Sequence, residues 1–208
     1  MGDRTGQQSR FVSCVFEKVI VAFDCDGVLA DFDGLASEKL GIDLHTNRTA
    51  FNTSVDYGPE VHKAVGQLLR VPSFWVDLRP LPGARDAVRQ LLEAGHQVHF
   101  YSSLPSHFAH LRSWWLWWHL KAAGQPQYVH LWTPAHRDKP GVILDPAQGG
   151  VPDYYIDDRA DTVQSTAIGG VSSYLHWAPW NQEPPAGVRL VHNVTEYVDA
   201  ILQEISNE

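Results

Sequence analysis

Val21-Ala22-Phe23-Asp24-Cys25-Asp26-Gly27-Val28-Leu29-Ala30-Asp31 joins an apolar run to a pair of acids. Read back to Lys18, the segment Lys-Val-Ile-Val-Ala-Phe-Asp is short, β-branched and apolar. That is how a buried parallel strand reads when its C-terminal end carries function. In extended chain, residues i and i+2 project to the same side, so Asp24 and Asp26 face one way. Gly27 then lets the chain turn sharply. One carboxylate can attack phosphorus while the other handles a proton. Two acids this close repel unless a cation neutralises them, and Mg²⁺ suits carboxylate and water oxygens in octahedral geometry. An Asp-x-Asp alone is also compatible with a turn or a solvated acid pair; the buried-looking strand ahead of it favours chemistry.

Outward from this stretch, further apolar runs alternate with helical ones. Gln97 to Tyr101 ends at Ser102-Ser103, Tyr128 to Trp132 follows, and Tyr154 to Ile156 ends at Asp157-Asp158. Weaker strand candidates are Gly170 to Tyr174 and Val188 to Val191. Helices are expected over Gly83 to Ala94, Ser106 to Ala123, Asp158 to Ile168 and Thr195 to Ile205, several ending at glycine. Such alternation defines an α/β fold, an open parallel sheet with helices on both faces. Ligands bind such sheets at the carboxyl ends of the strands, where Asp24, Ser102 and Asp157 all fall. Residues 32–75 break the alternation: polar, mixed and mainly helical, with a helix-like run from Pro59 to Leu69. They are expected to form a small helical cap inserted after the first strand, leaving 1–31 and 76–208 as the core.

Three later patches carry chemistry of the same kind. Asp157-Asp158 would add metal ligands, although either acid also suits a helix N-cap. Ser102-Ser103 is either an ordinary turn or a pair of hydroxyls donating to a phosphate beside a helix start. Lys139, in His136-Arg137-Asp138-Lys139-Pro140, is a surface lysine or a cation balancing a nucleophile and a transferring phosphoryl group.

The whole chain bounds these readings. At 208 residues there is room for one α/β domain and a small insertion. Hydrophobic residues at 44% and charged residues at 19% are ordinary for a globular protein. A formal net charge of −8 argues against an extended nucleic-acid partner, which demands excess Lys and Arg. It leaves room for a small phosphorylated substrate held by a local cluster of cations and a metal. Two cysteines, Cys14 and Cys25, make no disulfide framework, so a reducing compartment is expected. Residues 1–10 are polar without a signal-peptide core, and no apolar run reaches membrane-spanning length. The expectation is a soluble, cytoplasmic protein with no membrane partner.

Taken together, Asp24/Asp26, Ser102, Lys139 and Asp157/Asp158, in that order, resemble the motifs of the haloacid dehalogenase-like phosphohydrolases. A closer resemblance is to their 5′(3′)-deoxyribonucleotidases. It rests on Pro72-Ser73-Phe74-Trp75-Val76-Asp77-Leu78-Arg79-Pro80-Leu81-Pro82-Gly83-Ala84, on Arg137-Asp138-Lys139 and on Ile156-Asp157-Asp158. The resemblance implies a Rossmann-like sheet and a magnesium-dependent phosphatase, a hydrolase of the nucleotidase type working through an aspartyl-phosphate. It implies Asp24 as nucleophile and Asp26 as general acid/base. Asp24, the Asp26 backbone carbonyl and Asp157 or Asp158 would hold Mg²⁺. Ser102, Ser103, Arg137 and Lys139 would bind phosphate, and Phe74 or Trp75 would border the nucleoside of a nucleoside monophosphate. One departure is visible: Leu104-Pro105-Ser106-His107 stands where many members carry a lysine. The rivals are another phosphatase of the superfamily, acting on a different small phosphomonoester or a nucleic-acid phosphate end, and a non-catalytic binding module of the same fold. A module has no chemical need for both Asp24 and Asp26.

The run Trp114-Trp115-Leu116-Trp117-Trp118 covers more than half a helix circumference, so one core face cannot take every indole. Packing between helix and sheet is expected, with the remainder exposed at an oligomer interface such as that of a homodimer. The 11 histidines lack ligand spacing and read as solvated or core residues.

Overall fold

The apolar runs lie side by side in the computed structural model, which describes residues 18–122, 124–131, 138–181 and 183–207. Cys14 and Arg137 lie outside the described residues. The strands are β1 (Ile20–Asp24), β2 (Gln97–Leu104), β3 (Gln127–Leu131), β4 (Tyr154–Asp157), β5 (Ser172–His176) and β6 (Arg189–Val191). They form a six-stranded sheet in the order β3-β2-β1-β4-β5-β6, with every neighbouring pair parallel. Asp24 sits opposite Tyr101, and Phe23 opposite Ile156. Ser102 and Asp157 therefore reach the same carboxyl edge as Asp24, because parallel strands end on one side.

Period-two alternation sorts the strand residues between two apolar layers. Val21, Phe23, Val98, Phe100 and Ile156 belong to the larger core, while Ala22, Tyr101, Tyr155 and Leu175 belong to the smaller one. The helices in chain order are α1 (Phe32–Leu40), α2 (Thr53–Leu68), α3 (Pro72–Asp77), α4 (Ala84–Glu93), α5 (Ala109–Trp115), α6 (Lys139–Ile143), α7 (Ala160–Ile168) and α8 (Val194–Asn207). α4 and α8 pack on the larger core, α6 and α7 on the smaller, so helices cover both faces as expected. Tyr197 of α8 seals this join: its hydroxyl donates to the Ala22 carbonyl at 3.2 Å and its ring meets Phe23 edge-on.

The inserted residues are helical, as expected, but α2 starts earlier than Pro59. Asn52 caps it by accepting from the Ser54 N–H at 3.0 Å, and Gly58 (φ 81°) kinks it where Pro59 lacks a donor. α3 crosses the 75/76 boundary expected between cap and core. The larger core also runs without a break from Phe23 and Val98 into Leu35, Leu44, Val65 and Phe74 of the insertion.

Two local expectations are corrected. Ser102 and Ser103 are strand residues, paired with Val129 and His130 of β3, rather than a turn. The single helix expected from Ser106 to Ala123 is a 3₁₀ turn (Ser106–Phe108), then α5, then a π-helical turn (Leu116–Leu120). Lys121 at φ 56° stops it, three residues before Gly124. Trp115 enters the core and its indole N–H donates to the Leu78 carbonyl at 2.8 Å. Trp114, Trp117 and Trp118 remain 39%, 46% and 51% exposed, which is the division the crowded run required. No helix among the described residues is long and apolar enough to cross a membrane.

Candidate active site

β1 delivers Asp24 to the carboxyl edge, and the following turn folds back tightly. Leu29 and Ala30 donate to the Cys25 carbonyl at 2.9 and 2.8 Å, and Gly27 donates to the Ala30 carbonyl at 2.9 Å. Gly27 holds φ +84°, a conformation that side chains disfavour. Cys25, between the two acids, is fully buried and burial pushes its thiol up to about 12, so it offers no thiolate.

Lys139, the first residue of α6, reaches Asp24 across the sheet edge. Its ammonium donates to Asp24 Oδ1 and, at 2.6 Å, to Asp157 Oδ2. Asp138 fixes the start of α6 by accepting the Gly141 N–H at 2.8 Å. Burial works against the Lys139 charge, but Asp157 and Asp24 more than offset it and the ammonium persists. Asp157 also accepts from the Tyr155 hydroxyl and, at 2.9 Å, from the Arg159 N–H. These contacts leave Asp157 committed, while the carboxylate of Asp158 makes no hydrogen bond among the described residues. Neither acid caps α7 in the expected way; Arg159 is its N-cap residue. The Asp158 backbone carbonyl is held by the Trp180 indole N–H at 3.3 Å and by the Asn181 amide.

Asp24, Asp157 and Asp158 are all buried, and their candidate ligand oxygens lie within 4.8 Å of one another. Among the described residues no other group of histidine, cysteine and acid side chains meets that geometry. Burial pushes Asp24 up to about 7 against the pull of Lys139, with Asp157 and Asp26 adding to the rise. Burial also pushes Asp158 well above the carboxylate range, reinforced by Asp157 and Asp24. Three buried carboxylates facing one ammonium are short of positive charge, and Asp158 has no side-chain hydrogen bond among the described residues to take up its oxygens. An oxygen-seeking divalent cation of the Mg²⁺ kind fits this donor set.

Ser102 is buried beside this edge, and among the described residues its Oγ has no hydrogen-bond partner, which leaves a donor for an incoming anion. Ser103 follows it at the same strand end, half-buried. Asp26 stands apart from the carboxylate trio, its side chain engaged by Arg112 from α5. Arg112 escaped sequence reasoning; its only local signal is that it is the one Lys or Arg in α5.

Phe74 and Trp75 are only 1% and 2% exposed. Phe74 packs edge-on against Phe32, and the Trp75 indole N–H donates to the Leu69 carbonyl at 3.1 Å. Phe51, in the loop ahead of α2, is by contrast 45% exposed. Its ring lies 6.2 Å from that of Trp180, and the Arg159 guanidinium sits 4.9 Å from its centre. Arg48 locks this loop: it pairs with Asp33 at 2.7 Å and lies 4.0 Å over the Trp180 ring.

The sheet order and carboxyl-edge acids define a haloacid dehalogenase-type α/β fold. A HAD family hydrolase from Deinococcus radiodurans, solved with bound phosphate and sodium, superposes with a TM-score of 0.61 at 18% identity, covering 92% of this chain and 97% of that one. The D,D-heptose 1,7-bisphosphate phosphatase of B. bronchiseptica, complexed with magnesium and phosphate, gives 0.55 at 17% identity over 90% and 99%. Within that class the chain belongs to the family described as 5′ nucleotidase, deoxy (pyrimidine), cytosolic type C, whose model matches residues 18–172. A Bordetella bronchiseptica protein assigned to the 5′(3′)-deoxyribonucleotidases is 36% identical over 92 residues, 41% of this chain and 50% of that protein. The human 5′(3′)-deoxyribonucleotidase, cytosolic type, is 37% identical over 84 residues, 35% of this chain and 41% of that protein. The matched segment thus spans half the length of these curated relatives or less.

Proposed function

We propose that this chain is a Mg²⁺-dependent phosphomonoesterase that removes phosphate from nucleoside monophosphates, deoxyribonucleotides included. The observation that carries the reading is the buried constellation at one sheet edge: Asp24 paired with Lys139, the Asp24/Asp157/Asp158 carboxylate cluster, and Ser102 Oγ without a partner among the described residues. The nucleotide preference rests on membership of the family and on the names its relatives bear. A cytosolic setting goes with the same names.

In this mechanism Asp24 attacks phosphorus in line, forming an aspartyl-phosphate as the ester P–O bond breaks. Asp26 gives its proton to the departing alcohol oxygen. It then takes a proton from the water that attacks the aspartyl-phosphate, so its protonation is restored. Lys139 holds Asp24 ionised and oriented, and balances charge on the transferring group. Ser102, with Ser103 and Arg137, holds the phosphate oxygens. Asp24, the Asp26 backbone carbonyl and Asp157 or Asp158 would hold Mg²⁺, which would supply further positive charge to those oxygens. Asp158 is the better placed of the two, since Asp157 is already committed to Lys139, Tyr155 and Arg159. The cap, residues 32–75, covers the edge and selects the leaving group. Phe51, exposed where Phe74 and Trp75 are buried, would stack on a base.

Asp24→Asn tests the assignment. Phosphate release from a panel of deoxy- and ribonucleoside 5′- and 3′-monophosphates and sugar phosphates should disappear, with the fold unchanged by circular dichroism. Turnover surviving in that variant overturns the nucleophile, and sugar phosphates as the best substrates overturn the nucleotide preference.

A further inference from the structure

Arg112 is 2% exposed, yet its one ion-pair partner among the described residues is Asp26. Nη2 donates to both oxygens of that carboxylate, at 2.6 Å to Oδ1 and 2.8 Å to Oδ2. Nε and Nη1 are buried and have no hydrogen-bond partner among the described residues. Ring faces surround the guanidinium instead: its Cζ lies 5.5 Å from the centre of Trp75 and 5.5 Å from that of Trp115. Both indoles are anchored, Trp75 on the Leu69 carbonyl at 3.1 Å and Trp115 on the Leu78 carbonyl at 2.8 Å.

Packing alone does not call for this residue. A buried guanidinium with unpaired donors costs stability, and an apolar side chain would fill the slot between two indoles more favourably. Its placement serves the one carboxylate it touches. We propose that Arg112 is a positioning residue for Asp26: the indole clamp holds the guanidinium so that it fixes the carboxylate facing the leaving oxygen. The inference rests on the general-acid role proposed above for Asp26. No proton moves to or from Arg112. The proton leaves Asp26 for the ester oxygen as the P–O bond breaks, and another returns from the attacking water in the second step.

Leaving-group chemistry separates this role from a merely structural one. A nucleoside alcohol must be protonated as it departs, whereas p-nitrophenolate leaves without a proton. The quantity to compare is kcat/KM, which reports only the steps through aspartyl-phosphate formation. For Arg112→Met, kcat/KM on a deoxynucleoside 5′-monophosphate should fall ~100-fold, the scale of general acid catalysis. On p-nitrophenyl phosphate the fall should be smaller by at least about tenfold. Arg112→Lys, which keeps a cation in the clamp, should show the same difference between substrates at smaller size, and it serves where Arg112→Met does not fold. Equal losses on both esters, or no loss on either, overturn the inference while leaving the phosphatase reading intact. Failure of both variants to fold also overturns it, since Arg112 would then be a structural clamp. A wild-type protein without activity on any phosphomonoester overturns the phosphatase reading itself, and this inference with it.

Discussion

Gly27 lies against Asp158 so closely that a β-carbon on Gly27 would stand 2.5 Å from Asp158 Oδ2. The backbone there also holds φ +84°, so the turn after β1 and the unpaired carboxylate after β4 fix each other's position. Gly27→Ala should therefore do two things. The left-handed conformation costs roughly 1–2 kcal/mol of metal-free stability. Displacement of Asp158 should weaken Mg²⁺ about 10-fold or more, on the scale of other perturbed ligand supports. Thermal melts titrated with MgCl₂ read both effects. A variant with the wild-type Mg²⁺ dependence of Tm would show that Asp158 does not hold the ion.

Phe51 offers an exposed ring beside Trp180 and Arg159. Base stacking on an aromatic ring is worth roughly 1–3 kcal/mol. Phe51→Ala should raise KM for a nucleoside monophosphate about tenfold, with much less change for a phosphomonoester that lacks a base. Steady-state kinetics on both substrates check this; equal KM shifts would remove Phe51 from base recognition.

His176, at the end of β5, has a buried Nδ1 without a hydrogen-bond partner. Burial lowers its pKa to about 4, with His192 adding to the effect. The folded value lies below the unfolded one, so the unfolded chain binds the proton more readily. Stability is then full above roughly pH 6.5 and falls as pH drops toward the folded value, by up to roughly 3 kcal/mol. Chemical denaturation between pH 7 and pH 4 should show this loss, and His176→Gln should reduce its slope. An unchanged slope in the variant would place the acid sensitivity elsewhere.

Local chemistry made much of the site legible. Asp24, Ser102 and Asp157 close apolar runs, and a run that reads as a parallel strand places its last residue at the ligand-binding edge. Lys139 was recognisable only through its order among the other motifs, because a lysine before a proline is ordinary on its own. Phe74 and Trp75 were drawn toward the nucleoside by the segment around them. Their burial follows from packing against Phe32, Leu69 and Arg112, none of which is adjacent in sequence. The π-helical turn at Leu116–Leu120 has no equivalent in a periodicity argument, since tryptophans on every side blur the helical face.

The sequence by itself determined the alternation of strands and helices, the parallel sheet and the acids at its edge. Those depend on side-chain period and on residues at strand ends, both of which are local. Tertiary structure alone decided which partner each acid has. Arg112 meets Asp26 from 86 residues away, Lys139 bridges Asp24 and Asp157, and Asp158 lies opposite Gly27. Partner choice among buried charges depends on which side chains the fold brings within about 3 Å, where low polarity makes each pairing strong and each vacancy costly. Spacing along the chain carries no record of those distances. The carboxylate pair in Val21 to Asp31 thus divides between two partners, Asp24 with Lys139 and Asp26 with Arg112.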